Sequence, residues 1–283
     1  NLATLWLLLS SWCWASGTPK GITPVANLVI YTAKKIITME PALPEATAVA
    51  VADGRIVAVG SLDSLGSWME QKNSRIDRRF EGKIIMPGFI EPHVHPSLPA
   101  VLTQFPFIAP DDWSLPTGKF PGATTPKAYI ARLKELVAQH NNPNIPFITW
   151  GYHPLWHGEL FRQQLTELFP DKPVMLWHRS FHELIGNDAA MDLLGVTEAE
   201  LEANPLTSWE RGHFFENGMY ALIPKMGFIF EPARFGQGMQ NFIRMVHQGG
   251  VSTALDMAPG VPRDPAGEIP MIRHTVEDAQ ASA

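Results

Sequence analysis

Cysteine is the scarcest residue in this chain. With Cys13 alone among 283 residues, a disulfide framework and any thiolate metal cluster are excluded. A bound metal would need ligands drawn from histidine, aspartate, glutamate or a modified lysine. Basic excess is also lacking: 22 Lys and Arg stand against 28 Asp and Glu, a net charge of −6, and no basic run is present to neutralise a phosphate backbone. Nucleic acid is therefore not an expected partner. No apolar run is long enough to span a bilayer, so no integral membrane span is expected in the mature form. Proline, by contrast, is abundant. The 25 prolines in 283 residues, about 9% against a typical ~5%, are spread along the chain and exclude a coiled coil or simple helical bundle. What the chain does have is 45% apolar and 10% aromatic residues, enough for a substantial core in one or two domains.

The first residues, Leu2 to Leu9, read LATLWLLL and are followed by the small residues Ala15, Ser16 and Gly17. This pattern matches the apolar region and cleavage site of an export signal, here partial and covering 1–17, which makes the mature protein periplasmic or extracellular. A buried N-terminal helix is the alternative for so short a run.

Beyond it, Asn27 to Val59 alternates β-branched runs around Asp53-Gly54, a hairpin signal, and predicts a small antiparallel β unit over about 24–86. The stretch Arg79 to Pro96 is extended, broken at Pro87-Gly88. From Leu98 to Asn144 the chain reads mainly as loop, with one amphipathic helix at Lys127 to Gln139. Helical patches follow at Leu160–Phe169, Asp188–Leu194, Ala199–Ala203 and Gln237–His247, with strands at Pro173–Leu176 and Val251–Leu255.

His93 and His95 lie two apart in an extended segment, and residues i and i+2 of a strand share a face, so both imidazoles can reach one ion. Their surroundings carry a resemblance. The words ADGRIVAVG, GKIIMPGFIEPHVHP and GGVSTALDM, in this order, resemble the amidohydrolase superfamily. The stretch Pro170 to Val196, PDKPVMLWHRSFHELIGNDAAMDLLGV, is similar to its amidohydrolase 3 branch, the YtcJ-like enzymes related to N-substituted formamide deformylase. Two departures are visible: Glu91-Pro92 replaces an Asp and a small residue before the H-x-H, and Phe181 stands before His182 where Gly is common.

The resemblance implies an α/β fold. It consists of the N-terminal part of a small β-sandwich and, over 87–283, an incomplete metal-dependent-hydrolase (β/α)8 TIM barrel with a large insertion, about 97–245, after strand 1. It implies His93 and His95 as metal ligands and a divalent metal, zinc foremost, as one or two ions. It also implies His182 and Glu216 as catalytic residues, Glu216 closing the word Gly212-His213-Phe214-Phe215-Glu216. An ordinary polar network accounts for His182 and Glu216 equally well. His153, His157, Trp150 and Trp156 are candidates for a pocket mouth, with His153 and Trp156 taken as substrate-binding; loop surface is the competing reading. His247 caps a helix end, and Asp256 serves either a barrel mouth or a turn.

After His95 there remain 283 − 95 = 188 residues. A (β/α)8 barrel takes about 250, so the expectation is an N-terminal fragment whose further ligands lie downstream. The function expected of the full-length form is hydrolysis of a small-molecule amide or formamide, a C–N bond other than a peptide bond. The alternatives are a non-catalytic remnant or binding protein, and a metal-dependent esterase or phosphoesterase. The sequence leaves the oligomeric state open.

Overall fold

The computed structural model describes residues 27–260 and 264–281. The export signal expected over 1–17 lies outside them. Chain contacts separate two units, Asn1–Pro87 and Gly88–Ala283.

In the first unit, β1 (Val29–Ile37), β2 (Glu45–Ala52), β3 (Arg55–Gly60) and β4 (Arg75–Ile85) form one sheet in the order β3-β2-β1-β4. The β2–β3 turn has φ of 49° at Asp53 and 74° at Gly54, the pair of left-handed residues that matches the twist of a tight hairpin. Alternation places Leu28, Ile30, Ala48, Ala50 and Ala52 in one apolar cluster, with Ala33, Ile36, Ala46 and Val49 in another. The expected wholly antiparallel unit needs a correction: β4 runs parallel to β1. A short helix, α1 (Gly66–Met69), lies in the connection from β3 to β4. A connection of that length allows the chain to cross over rather than turn back.

The second unit opens with β5 (Phe89–Val94) and α2 (Ser97–Leu102), then a hairpin of β6 (Trp113–Leu115) and β7 (Gly118–Phe120). It continues through α3 (Pro126–Gln139), β8 (Phe147–Tyr152), α4 (Pro154–His157), α5 (Arg162–Leu168), β9 (Val174–His178), β10 (Glu183–Gly186), α6 (Asp188–Leu194) and α7 (Glu198–Glu202). Next come β11 (Thr207–Ser208), β12 (His213–Phe215), two 3-10 segments (Glu216–Ala221 and Ile223–Phe230), α8 (Pro232–Gln248), β13 (Val251–Asp256) and α9 (Pro265–Ala281). Among the described residues, no helix is long and apolar enough to cross a membrane.

The central sheet of this unit is five-stranded, in the order β11-β12-β10-β9-β8, with β8 and β9 parallel. Every residue of β8 and β9 is buried, which is why both read as unbroken apolar runs. One face packs on α3 and α5 through Tyr129, Leu133, Val137 and Leu165, and the other carries Trp150, Met175, Trp177, Leu184 and Phe214. The signals for α3 are complete: Thr125 accepts a hydrogen bond from the Ala128 N–H, Pro126 takes the first turn, and Tyr129, Leu133 and Val137 recur every fourth residue on the buried face.

A second, parallel pair joins β13 to β5, with Val251 opposite Phe89 and Asp256 opposite Val94. The chain thus leaves β5, builds the five-stranded body, and returns along α8 to lie beside β5. The stretch after Leu98 also departs from the loop expectation, because Ser97–Leu102 is helical. Pro99 falls in the first turn, where a missing N–H costs nothing.

Candidate active site

His93 is the penultimate residue of β5 and His95 follows that strand directly, so the strand's two-residue repeat delivers both rings to one side. Their centroids are 5.1 Å apart and the rings stand edge to face. The Glu91 carboxylate turns back and accepts a hydrogen bond from the His93 N–H at 3.1 Å. Both imidazoles are exposed.

His182 and Glu216 arrive from a different sheet. His182 immediately precedes β10 and Glu216 immediately follows β12, and these strands pair antiparallel with Glu183 opposite Phe215. At the end of that ladder the Glu216 N–H donates to the His182 carbonyl at 2.8 Å, and Glu216 Oε2 lies 2.9 Å from His182 Nδ1. A carboxylate can only accept, so the Nδ1–H donates to Glu216 and Nε2 is left facing away from the pair. The backbone is strained on both sides of the pair: φ is 71° at Phe181 and 47° at Glu216, values that bulky L-residues rarely adopt.

These elements meet around a cavity of about 360 Å³. Its polar lining includes His95, His182, Glu216 and Asp256, together with Ser97 and Glu268. Its apolar lining includes Trp177, Phe181, Leu184, Met219, Met226 and Phe230. Glu268 is buried, and its carboxylate accepts hydrogen bonds from the Ser97 hydroxyl and the Gly260 N–H. It thereby ties α9 both to the start of α2, just past His95, and to the loop after Asp256. The Asp256 Oδ1 accepts from the Ala258 N–H at 3.0 Å, the turn contact expected of it, and the residue also lines the cavity.

His153 and Trp156 are not among the residues lining this cavity. His153 Nδ1 caps α4 by accepting from the Leu155 N–H at 3.1 Å, and its ring lies 4.8 Å from Trp156 and 4.9 Å from His178. The loop-surface reading fails for His157, which is 1% exposed. Its Nδ1 accepts from the His153 N–H at 3.0 Å, Nε2 donates to the Ala123 carbonyl at 2.8 Å, and the ring stacks on Tyr129 at 4.1 Å. Burial pushes its pKa down to about 4. Burial also lowers His178, against the opposing pull of Glu183. This cluster is a set of hydrogen-bonded, ring-packed histidines around α4.

As for a metal, neutral imidazoles at one strand end are suitable donors. Among the described residues, no group of three or more His, Cys, Asp or Glu side chains is arranged to hold an ion. His93 and His95 are two imidazoles brought together at the end of β5. Ser97, Glu268 and the apolar wall from Met219 to Phe230 were not expected from sequence. The two 3-10 segments carry no 3.6-residue periodicity to betray a buried face, and Glu268 lies 171 positions from its partner Ser97.

The fold is shared with a crystal structure of an uncharacterized metal-dependent hydrolase from Pyrococcus horikoshii OT3, at a TM-score of 0.65 and 16% identity over 89% of this chain and 46% of that one. No family model matches the chain. Among individual proteins, it is 29% identical over 182 residues to N-substituted formamide deformylase of Arthrobacter pascens, covering 62% of this chain and 30% of that enzyme. It is 27% identical over 192 residues to the exoenzymes regulatory protein AepA of Pectobacterium carotovorum subsp. carotovorum, covering 66% and 37%. The chain thus spans about a third of the length of these curated relatives.

Proposed function

We propose that the chain carries part of the active site of a metal-dependent amidohydrolase, in which water attacks the carbonyl carbon of an amide or formamide C–N bond. The observation that carries this reading is the meeting of His95, itself ring to ring with His93, with the His182–Glu216 pair at one cavity. In this reading β5 and β13 are neighbouring strands of a (β/α)8 barrel, with the five-stranded body inserted between them. His93 and His95 would hold a divalent ion, zinc being the best match to imidazole ligands. Such an ion, when bound, polarises a carbonyl and makes water nucleophilic near neutral pH.

The chain's own contribution is proton handling and orientation. Glu216 keeps the proton of His182 on Nδ1, so Nε2 is free to take a proton from attacking water and return it to the leaving nitrogen. The strained turns at Phe181 and Glu216 hold both side chains at the cavity. Phosphoester hydrolysis is the weaker reading, because among the described residues neither Lys nor Arg lines the cavity to receive an anion. Binding without turnover is the second reading, favoured by the presence of two metal donors rather than three among the described residues.

The test is turnover of a panel of N-substituted formamides, acyl amides, carboxylic esters and phenyl phosphate by the purified full-length protein with Zn²⁺, Mn²⁺ or Fe²⁺ supplied. Amide hydrolysis should dominate. Glu216→Gln should lower kcat by roughly 100-fold or more, the range for losing a positioned acid–base group. Turnover of the phosphoester alone would contradict the proposal.

A further inference from the structure

The chemistry of the cavity wall says what kind of group it can hold. Three carboxylates, Glu216, Asp256 and Glu268, line it, while no Lys or Arg does among the described residues. Without a metal ion, a phosphate or carboxylate entering here would lose its hydration, meet no Lys or Arg among the described lining residues and face three carboxyl groups. The remaining lining is mostly apolar, with Trp177, Phe181, Met219, Met226 and Phe230 contributing large, polarizable surfaces. An apolar cavity of about 150 Å³ holds benzene, so about 360 Å³ accommodates an aryl ring with a short chain.

Phe181 is the unusual part of this wall. At φ 71° a side chain beyond Cα is strained, and glycine is the residue that relieves it. Here the backbone carries a phenyl ring instead, and the ring is supported. It stacks on Trp150 at 5.2 Å with the planes 23° apart, Trp150 in turn packs against Phe107 at 4.7 Å, and the Trp177 indole N–H donates to the Phe181 carbonyl at 3.3 Å. A strained residue braced by an aromatic layer and facing a cavity has a role in what the cavity admits.

We propose that the cavity binds an uncharged, ring-sized apolar group of the substrate and that Phe181 determines the size of that group. The proposal rests on the hydrolase reading for the word substrate, but its test needs no turnover.

Benzamide, 2-naphthamide, benzoate and phenyl phosphate are titrated into the intact protein and binding is followed by calorimetry. The neutral amides should bind at least tenfold more tightly than either anion. Phe181→Gly should raise the preference for 2-naphthamide over benzamide by fivefold or more. Phe181→Leu, which keeps bulk without a flat face, should move that ratio less. Phe181→Gly should also melt above Phe181→Ala, because only glycine is at ease at this φ. Anions binding as tightly as amides, or a size ratio unchanged in the glycine and leucine variants alike, would overturn the proposal. If the ranking holds while no amide is ever hydrolysed, the pocket assignment stands and the hydrolase reading falls.

Discussion

His157 shows how a single residue couples burial to pH. Its folded pKa is pushed down to about 4, while the unfolded chain titrates near the ordinary histidine value of 6.5. Between these values the unfolded state binds the proton and the folded state does not, so acid favours unfolding. Stability from this site is fully present above about pH 6.5 and is lost as pH falls toward 4, at a cost of up to about 3 kcal/mol. Urea midpoints measured at pH 7.5 and 5 should differ accordingly. His157→Phe should flatten that dependence while lowering stability at pH 7.5, because it abandons the Ala123 carbonyl and the His153 N–H. An unchanged pH slope would locate the acid sensitivity elsewhere. At this scale the sequence was legible where chemistry is local. His93 and His95 declare themselves through two-residue spacing, whereas the His182–Glu216 contact, 34 residues apart, was visible only through resemblance to known enzymes.

Helix α8 offers a matched pair of glycines. A Cβ on Gly238 would overlap the Ala100 carbonyl where α2 crosses, whereas a Cβ on Gly236 would find its nearest neighbour, Thr275 Oγ1, at 3.9 Å. Alanine favours a helix over glycine by about 1 kcal/mol. Gly236→Ala should therefore stabilise by roughly 0.5–1 kcal/mol, and Gly238→Ala should destabilise by about 1–3 kcal/mol because overpacking outweighs propensity. Thermal melts of the two variants should move in opposite directions, and parallel shifts would contradict the close α2–α8 contact. Elements with terminal signals were readable: α3 with Thr125 and Pro126, α8 ending before Gly249-Gly250, and the Asp53-Gly54 hairpin. The strands β10, β11 and β12, of 4, 2 and 3 residues, were not, because so short a segment becomes a strand only through its neighbours. The 3-10 segments escaped for the same reason, their conformation being set by packing around the cavity.

At the scale of the whole molecule, the parallel pair β5 and β13 forms a two-stranded sheet with no further strand among the described residues. Apolar side chains along it are open: Ile90 is 72% exposed, Leu255 56% and Phe89 53%. Open strand edges beside apolar surface favour association. The 283-residue chain should therefore bind a hydrophobic dye and self-associate with rising concentration, and Ile90→Lys should reduce both effects in light scattering. A chain that stays monomeric at high concentration without dye binding would show this surface to be inert. The central claim, that the end of β5 supplies ligands to a catalytic metal, is tested most directly by elemental mass spectrometry of the purified protein. The account predicts about one or two equivalents of a transition metal, most of it lost in the His93→Ala/His95→Ala double variant while the fold persists. Metal retained at the parental level in that variant would contradict it.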